Sequence, residues 1–459
     1  MTGDAHLQRI YQVGTLTYSR AELFKVIFWM LLGDFTLQIM EQLPISLVPL
    51  QLRGAQASDA LIGFLTGSLP AFLGMLLNPF IGVQSDRHRG KMGRRIPFLL
   101  WGTPFVVLAL LGLGVAEPVS EALAAWFRAG SVASVKIGWI GGCMVAFVVA
   151  NTYIMQAYQF LFVDVIPSRV MGKFVGFYRA IGALGTLVFH RYLFGRSESH
   201  MTGIYVVSAL LYAAAFYLLI WNVKEGGYPD PPPKKSGAHW TEAKKYFQEC
   251  FGHAFYWKTY SLSFFFWSAL VPLWAFMVFF GTVPGGGLTG YAPTIGLSLD
   301  DYGKIRGWGA LVSVPVFFGV GPLVDRFHPI RLCMVGLALS VAAFSGCFFF
   351  ARSEASFLAC LLAIMAAQAV YMGSIMALSP RLFPSAKYGQ FCSANQIFGF
   401  IGVIFSPVLC GWLIQWVHDY RYLFAWCAWC ALMSLLMSVL VYRHWQRLGG
   451  DKNYAPPGQ

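Results

Sequence analysis

The sequence predicts an all-α protein embedded in a membrane, with twelve spanning helices in two pseudo-symmetric six-helix halves, and three observations lead there. Of its 459 residues, 57% are hydrophobic and only 12% charged, against roughly 25% charged in a soluble domain. A soluble core cannot absorb that much apolar surface, whereas a bilayer can. Apolar runs of spanning length, each needing about 20 residues, recur near 24–50, 58–82, 96–116, 137–164, 170–194, 202–223, 257–282, 302–324, 330–350, 355–379, 388–416 and 421–445. One Pro- and Gly-rich stretch, KEGGYPDPPPKKSGAHW from Lys224 to Trp240, divides them six and six. The first half then occupies 1–223, a cytoplasmic linker 224–256 and the second half 257–459.

The charges orient these spans. Twenty-three of the 33 Lys and Arg fall on the termini and the loops of one side, nine on the other side, and Arg179 within a span. The positive-inside rule therefore places both termini in the cytoplasm, together with the loop GVQSDRHRGKMGRRIPF, Gly82 to Phe98. The expected location is the cell membrane, inner or plasma. The net charge of +13 is thus topological. No polar domain carries an aromatic-interleaved basic patch, so nucleic acid is not an expected partner.

Met1–Lys25 is polar and the first apolar run is too long for a signal-peptide core, so it is expected to remain as a span. The nine cysteines show neither metal-ligand nor secreted-framework spacing, and Cys427-x-x-Cys430 reads as small-residue helix packing. No Walker sequence and no nucleophile–base constellation occurs, which disfavours ATP-driven transport and enzymes. No cofactor or metal is expected beyond a coupling ion, H⁺ or Na⁺, and the chain is expected to be a monomer.

The halves echo one another. PSRVMGKF at Pro167–Phe174 and PSAKYGQF at Pro384–Phe391 share Pro, Ser, Gly and Phe at an offset of 217 residues. A weaker echo links Asp86-Arg87 with Asp325-Arg326 at an offset of 239. Duplicated six-span halves suit a transporter whose repeats rock about a midplane site.

Gly82, then Ser85-Asp86-Arg87, then Gly93-Arg94-Arg95-x-Pro97-Phe98 resembles the loop signature of the major facilitator superfamily. That resemblance covers essentially the whole chain. The form here is similar to the glycoside–pentoside–hexuronide and sucrose–proton symporter branch. So are LQIMEQLPISLVPLQLRG in the first span and NTYIMQAYQFLFVD in the fourth, where Asn151 and Asp164 match an Asn and an Asp of that branch. Gln159 stands where the branch carries an arginine. The resemblance implies that Asp86, Arg87, Arg94 and Arg95 hold an outward-open state, with Gly82 and Gly93 allowing close backbone approach. Asp325 and Arg326 then look like a degenerate copy.

Polar residues inside spans carry the rest, because a charge at the bilayer centre is costly unless it faces a cavity or a partner. Asp34 and Glu41 stand roughly 14 and 24 Å beyond Lys25 along a helix. With Gln38 they have i, i+4, i+7 spacing and share one face, and Pro44 is expected to interrupt the helix just beyond. Either carboxylate takes up the coupling cation, or both are static partners that pin helices together.

Asp164 lies near the cytoplasmic end of its span and Arg179 ten to twelve residues inside the next; the 217 offset sets Asp164 against Arg381. This suits a cytoplasmic gate of ion pairs, with ion coupling or helix-end capping as the other readings of Asp164. For a sugar, amides and aromatics are the expected contacts: Asn151, Thr152, Gln156 and Gln159 in the fourth span, Trp267 and Trp274 in the seventh, Gln368, Tyr371, Asn395 and Gln396 in the tenth and eleventh. Aromatics at helical spacing also arise from plain packing.

The sequence reading is therefore a cation-coupled sugar or glycoside symporter in a lipid bilayer, working by alternating access. The other readings are an exporter or carrier of another solute, such as a drug, peptidoglycan fragment or organic acid, and a membrane sensor or assembly factor without transport.

Overall fold

The computed structural model describes residues 11–128, 130–228, 239–282, 291–384 and 387–457. The side chains of Asp86 and Asp325 lie outside the described residues, as do Ser385, part of the repeat echo, and 229–238 of the linker.

A short hairpin opens the chain, β1 (Tyr11–Val13) against β2 (Leu16–Tyr18), and the polar N-terminal sequence gives no sign of it. The helices follow: α1 (Arg20–Gly54), α2 (Asp59–Gly63), a π-turn at Phe64–Ser68, α3 (Leu69–Arg87), α4 (Ile96–Gly114), α5 (Ala116–Phe127), α6 (Val132–Val165), α7 (Ser168–Val188) and α8 (Ser197–Asn222). Then come α9 (His239–Phe251), α10 (Ala254–Thr282), α11 (Leu299–Arg326), α12 (Pro329–Phe350), α13 (Glu354–Leu382), α14 (Tyr388–Val417), α15 (Tyr422–Arg447) and the single turn α16 (Gly450–Asn453).

Among the described residues, 11 helical stretches are long and apolar enough to cross a membrane. The sequence expectation was twelve. The difference lies in Arg169–Asn222, one stretch of 54 residues that takes in both expected spans near 170–194 and 202–223. As one straight helix at 1.5 Å per residue it would be roughly 80 Å long, more than twice a hydrocarbon core of about 30 Å. It is interrupted by a π-turn at Phe189–Leu193, a 3₁₀ turn at Phe194–Arg196 and a non-helical His200.

Pro44 does not break α1, which is helical through it. Proline removes one rung of the ladder, and a 35-residue helix keeps its course around the loss. Two expected connections are themselves helical. Residues after the third span form α5, tied to α6 by the Lys136–Glu117 pair, and the linker contains α9, whose Glu249 meets Lys387 at 2.8 Å.

The chain divides into two compact units. The first comprises Met1–Pro44, Leu73–Phe189 and Ser197–Pro233; in it α4 packs on α6 and α8, and α5 on α6. Gly182 and Gly185 bring α7 against Asp34, Phe35 and Gln38 of α1, the close approach that small residues permit between membrane helices.

The second unit comprises Ile45–Phe72, His190–Arg196 and Lys234–Gln459. There α10 packs on α14 and α15, and α12 on α13 and α15. Gly63 and Gly67 lie so close to Pro407 that a side chain at either would clash. Its core gathers Tyr256, Tyr260, Phe266, Tyr371, Phe391 and Trp445.

Candidate functional site

Three polar clusters built on buried or part-buried carboxylates bear on function, two in the first unit and one in the second. The first is on α1. Asp34 is 0% exposed, and neither of its carboxylate oxygens meets a donor at hydrogen-bonding geometry. The polar groups around it are Gln38 and Glu41 one and two turns on, with Tyr178 and Arg179 of α7. Glu41 accepts from Asn151 Nδ2 of α6 at 3.5 Å. The i, i+4, i+7 face expected from the sequence is thus one side of a polar cluster, and Tyr178 is the member that sequence reasoning missed. Its signal was a phenol beside Arg179, a cation placed well inside a span. Nearby, the buried Tyr158 hydroxyl donates to the Met30 carbonyl.

The remaining fourth-span candidates differ in setting. Thr152 donates back to Val148 O of its own helix at 2.6 Å. Gln156 is half-buried, and Gln159 is exposed on the same face. Arg179 is exposed, its guanidinium 5.9 Å from the neighbouring Tyr178 ring.

The second group lies at the loop between α3 and α4. Asp164, at the end of α6, accepts from Arg94 Nη2 at 2.5 Å and Nε at 3.0 Å, and from Arg95 Nε at 3.2 Å. Arg95 is 4% exposed, bonds Ser85 and lies against the Phe160 ring. Glu225 accepts from three successive backbone N–H groups, Arg94 at 2.9 Å and Arg95 and Ile96 at 2.7 Å each.

Those amides open α4, whose N-cap residue makes no side-chain cap of its own. Glu225 is therefore a distant cap, favoured also by the positive helix end. The Tyr228 hydroxyl donates to Glu225 at 2.8 Å, and the Arg94 guanidinium sits 4.1 Å over its ring. Burial, reinforced by the Glu225 carboxylate, pushes the Tyr228 phenol well above its ordinary range. Gly93 has φ +101°, and a Cβ there would strike Glu225. Arg87 and Gly82 are half-buried and take no part in the bonds around Asp164.

The third group was not anticipated. In the second unit Asp59, 1% exposed, pairs with Arg53 and accepts from the hydroxyls of Tyr420 at 2.8 Å and Tyr291 at 2.9 Å. Arg53 also bonds Tyr420 and lies 4.7 Å over the Phe279 ring. Burial and then the Asp59 charge push both phenols up.

The other second-unit candidates do not come together in one cluster. Tyr371 is buried, stacked on Phe266 at 3.9 Å between ring centres. Trp267 packs at Gly399, and Trp274 borders the core. Gln368 and Asn395 each bury one amide atom without a partner, and Gln396 is exposed. Arg326 and Arg381 are exposed at helix ends, the latter acting on His328. Among the described residues, no group of three or more His, Cys, Asp or Glu is arranged to hold a metal ion.

A sequence model of the Major Facilitator Superfamily matches residues 307–453. No curated protein matches the chain. Solved structures do. A D-xylose–proton symporter superposes with TM-score 0.64 at 15% identity, over 92% of this chain and 97% of that one. A nucleoside transporter gives 0.70 at 10% identity, over 91% and 100%. A bacterial homologue of the iron transporter ferroportin, inward-facing, gives 0.64 at 16%, over 91% and 98%. The fold is therefore the major facilitator fold, and the chain is a multi-pass membrane protein.

Proposed function

We propose that the chain is a secondary transporter of the major facilitator type, a symporter that couples H⁺ or Na⁺ entry to movement of a sugar or glycoside by alternating access. The observation that carries the coupling is the Asp34 carboxylate, buried inside a membrane helix with, among the described residues, only the neutral Gln38 amide and Tyr178 phenol close to its oxygens and no ion pair, beside Glu41 and Asn151. A buried carboxylate in hydrocarbon is costly, and one whose oxygens are fully bonded is already committed to structure. Asp34 is poised to accept a cation instead. Gln38, Asn151 and Gln156 supply amides for substrate hydroxyls, and Asp164 with Arg94 and Arg95 forms a brace at the cytoplasmic end that parts during the cycle. Sugar is the favoured cargo because three stretches of the sequence resemble sugar symporters and a D-xylose–proton symporter shares the fold.

The test is uptake of radiolabelled mono-, di- and glucuronosyl sugars into proteoliposomes under imposed proton and sodium gradients, with nucleosides in the same panel because a nucleoside transporter also shares the fold. Gradient-driven sugar accumulation that Asp34→Asn abolishes supports the reading. The expected partner result is a melting temperature little changed in Asp34→Asn, which keeps the size of the side chain and an oxygen acceptor facing Gln38 and Tyr178. Accumulation of nucleosides alone, or of sugar without either gradient, overturns it.

A further inference from the structure

The first unit contains a space that neither the Asp34 cluster nor the Asp164 brace uses. A groove of about 1050 Å³ runs between α4 and α6, with an almost wholly apolar lining. Trp101 and Phe105 form one wall and stand 71% and 61% exposed, as side chains facing lipid do. Trp139 and Tyr153 of α6 mark its two ends on the other wall, Trp139 fixed by donation to Gly112 O at 2.8 Å and Tyr153 stacked on Phe98.

The glycines along it fall into two kinds. Gly102 and Gly112 are explained by packing, because a Cβ would meet Ile154 or Cys143. Gly138 and Gly142, one turn apart on α6, have open space where a Cβ would stand. Their small size serves no helix contact and instead deepens the groove.

Length and charge identify the occupant. The lining extends from Pro97 to Gly112 of α4, about 22 Å at 1.5 Å per residue, most of a hydrocarbon core of about 30 Å. One end opens at His88, next to Arg87 and the exposed Lys91. Asp164 and Glu225, the described carboxylates of that region, are already engaged by Arg94, Arg95 and the amides of α4. At the opposite end Lys136, two residues before Gly138 in the chain, is paired with Glu117. The groove is thus a chain-length apolar trough with a cationic mouth at one end only.

We propose that it binds an anionic glycerophospholipid, an acyl chain lying along Gly138 and Gly142 and the phosphate headgroup resting against Arg87, His88 and Lys91. Nothing in this site depends on what the protein transports.

The experiment uses the full chain in phosphatidylcholine vesicles with graded amounts of phosphatidylglycerol brominated on its acyl chains, compared with brominated phosphatidylcholine. Bromine quenches tryptophan on contact, and a Trp101→Phe/Trp139→Phe variant isolates the emission of the groove. The expected result is half-quenching of that emission at a mole fraction of brominated phosphatidylglycerol about thirtyfold below that of brominated phosphatidylcholine, the scale of two surface cations. Arg87→Gln/Lys91→Gln should bring the two lipids level. Gly138→Leu/Gly142→Leu should abolish quenching at low mole fraction of either lipid. Equal quenching in the wild type, as for ordinary lipid contact, detergent or a second copy of the chain in the groove, overturns the proposal. So does a preference that survives the Arg87/Lys91 change, which can be scored even if the leucine variant does not fold.

Discussion

Asp164 receives the Arg94 guanidinium two-pronged, Nη2 at 2.5 Å and Nε at 3.0 Å, while Arg95 reaches the same carboxylate from a more buried position. Bidentate pairs of this kind are strong and geometrically exacting. Removing one partner of a buried pair leaves the other charge uncompensated, at a cost of about 3–5 kcal/mol. Asp164→Asn is expected to lower the melting temperature in detergent markedly. Arg94→Lys, at the more exposed partner, should lower it by a smaller amount. An Asp164→Asn protein that melts with the wild type would remove the brace from the account.

The distant cap on α4 gives a second expectation. Loss of a helix cap typically costs about 0.5–2 kcal/mol, and Glu225 bonds three amides at once. Glu225→Ala should fall at the upper end of that range and Glu225→Gln below it. Gly93→Ala should also destabilise, because its φ of +101° disfavours any side chain and the new Cβ strikes Glu225. Thermal melts of the three variants check the order.

The Asp59 cluster predicts a graded series. Tyr291→Phe removes one neutral hydroxyl, worth about 1 kcal/mol or somewhat more because the acceptor is charged. Asp59→Ala strands Arg53 and both phenols, and should cost about 3–5 kcal/mol. Melting of the single and double variants, read as a mutant cycle, should show coupling between Tyr291 and Asp59. Strict additivity would contradict the shared bond at 2.9 Å.

His328 makes acid sensitivity testable. It caps α12, its Nδ1 accepting from Ile330 N at 3.4 Å, with its ring against Trp445. Burial first, then the Arg381 charge, lowers its pKa to about 4. With the folded pKa below the ordinary 6.5, the unfolded chain takes up the proton first as pH falls. The stabilisation is complete above about 6.5 and is lost between 6.5 and 4. Melting temperature should therefore fall from pH 7 to pH 5 by less in His328→Asn, which keeps a capping acceptor without titrating. Parallel slopes would assign the acid response elsewhere.

The sequence made legible whatever lies within one helix or one short loop. Asp34, Gln38 and Glu41 share a face because helical periodicity alone puts them there, and the 23 cations on one side mark the loops because charge crosses a bilayer poorly. Partnerships across the chain were illegible. Glu225 lies 131 residues from Arg94, in a linker where a carboxylate is unremarkable, and Asp59, at the very start of the second span, is bonded by Tyr420, 361 residues away, which no local pattern announces. Tyr371 shows a different limit. Helical spacing gives the same pattern for a tyrosine lining a cavity and for one stacked on Phe266, and only packing separates them. The expected break at Pro44 overlooked how readily a long membrane helix absorbs one missing bond.

The π-turn at Phe64–Ser68 has a bearing on how the second span is read by labelling. A π-turn accommodates one extra residue, so the angular phase of the helix slips by about 100° as it passes. A cysteine scan through 59–87 should record two accessibility waves of the same period but displaced crests. A single helical wheel drawn across the whole span assigns half of its residues to the wrong surroundings.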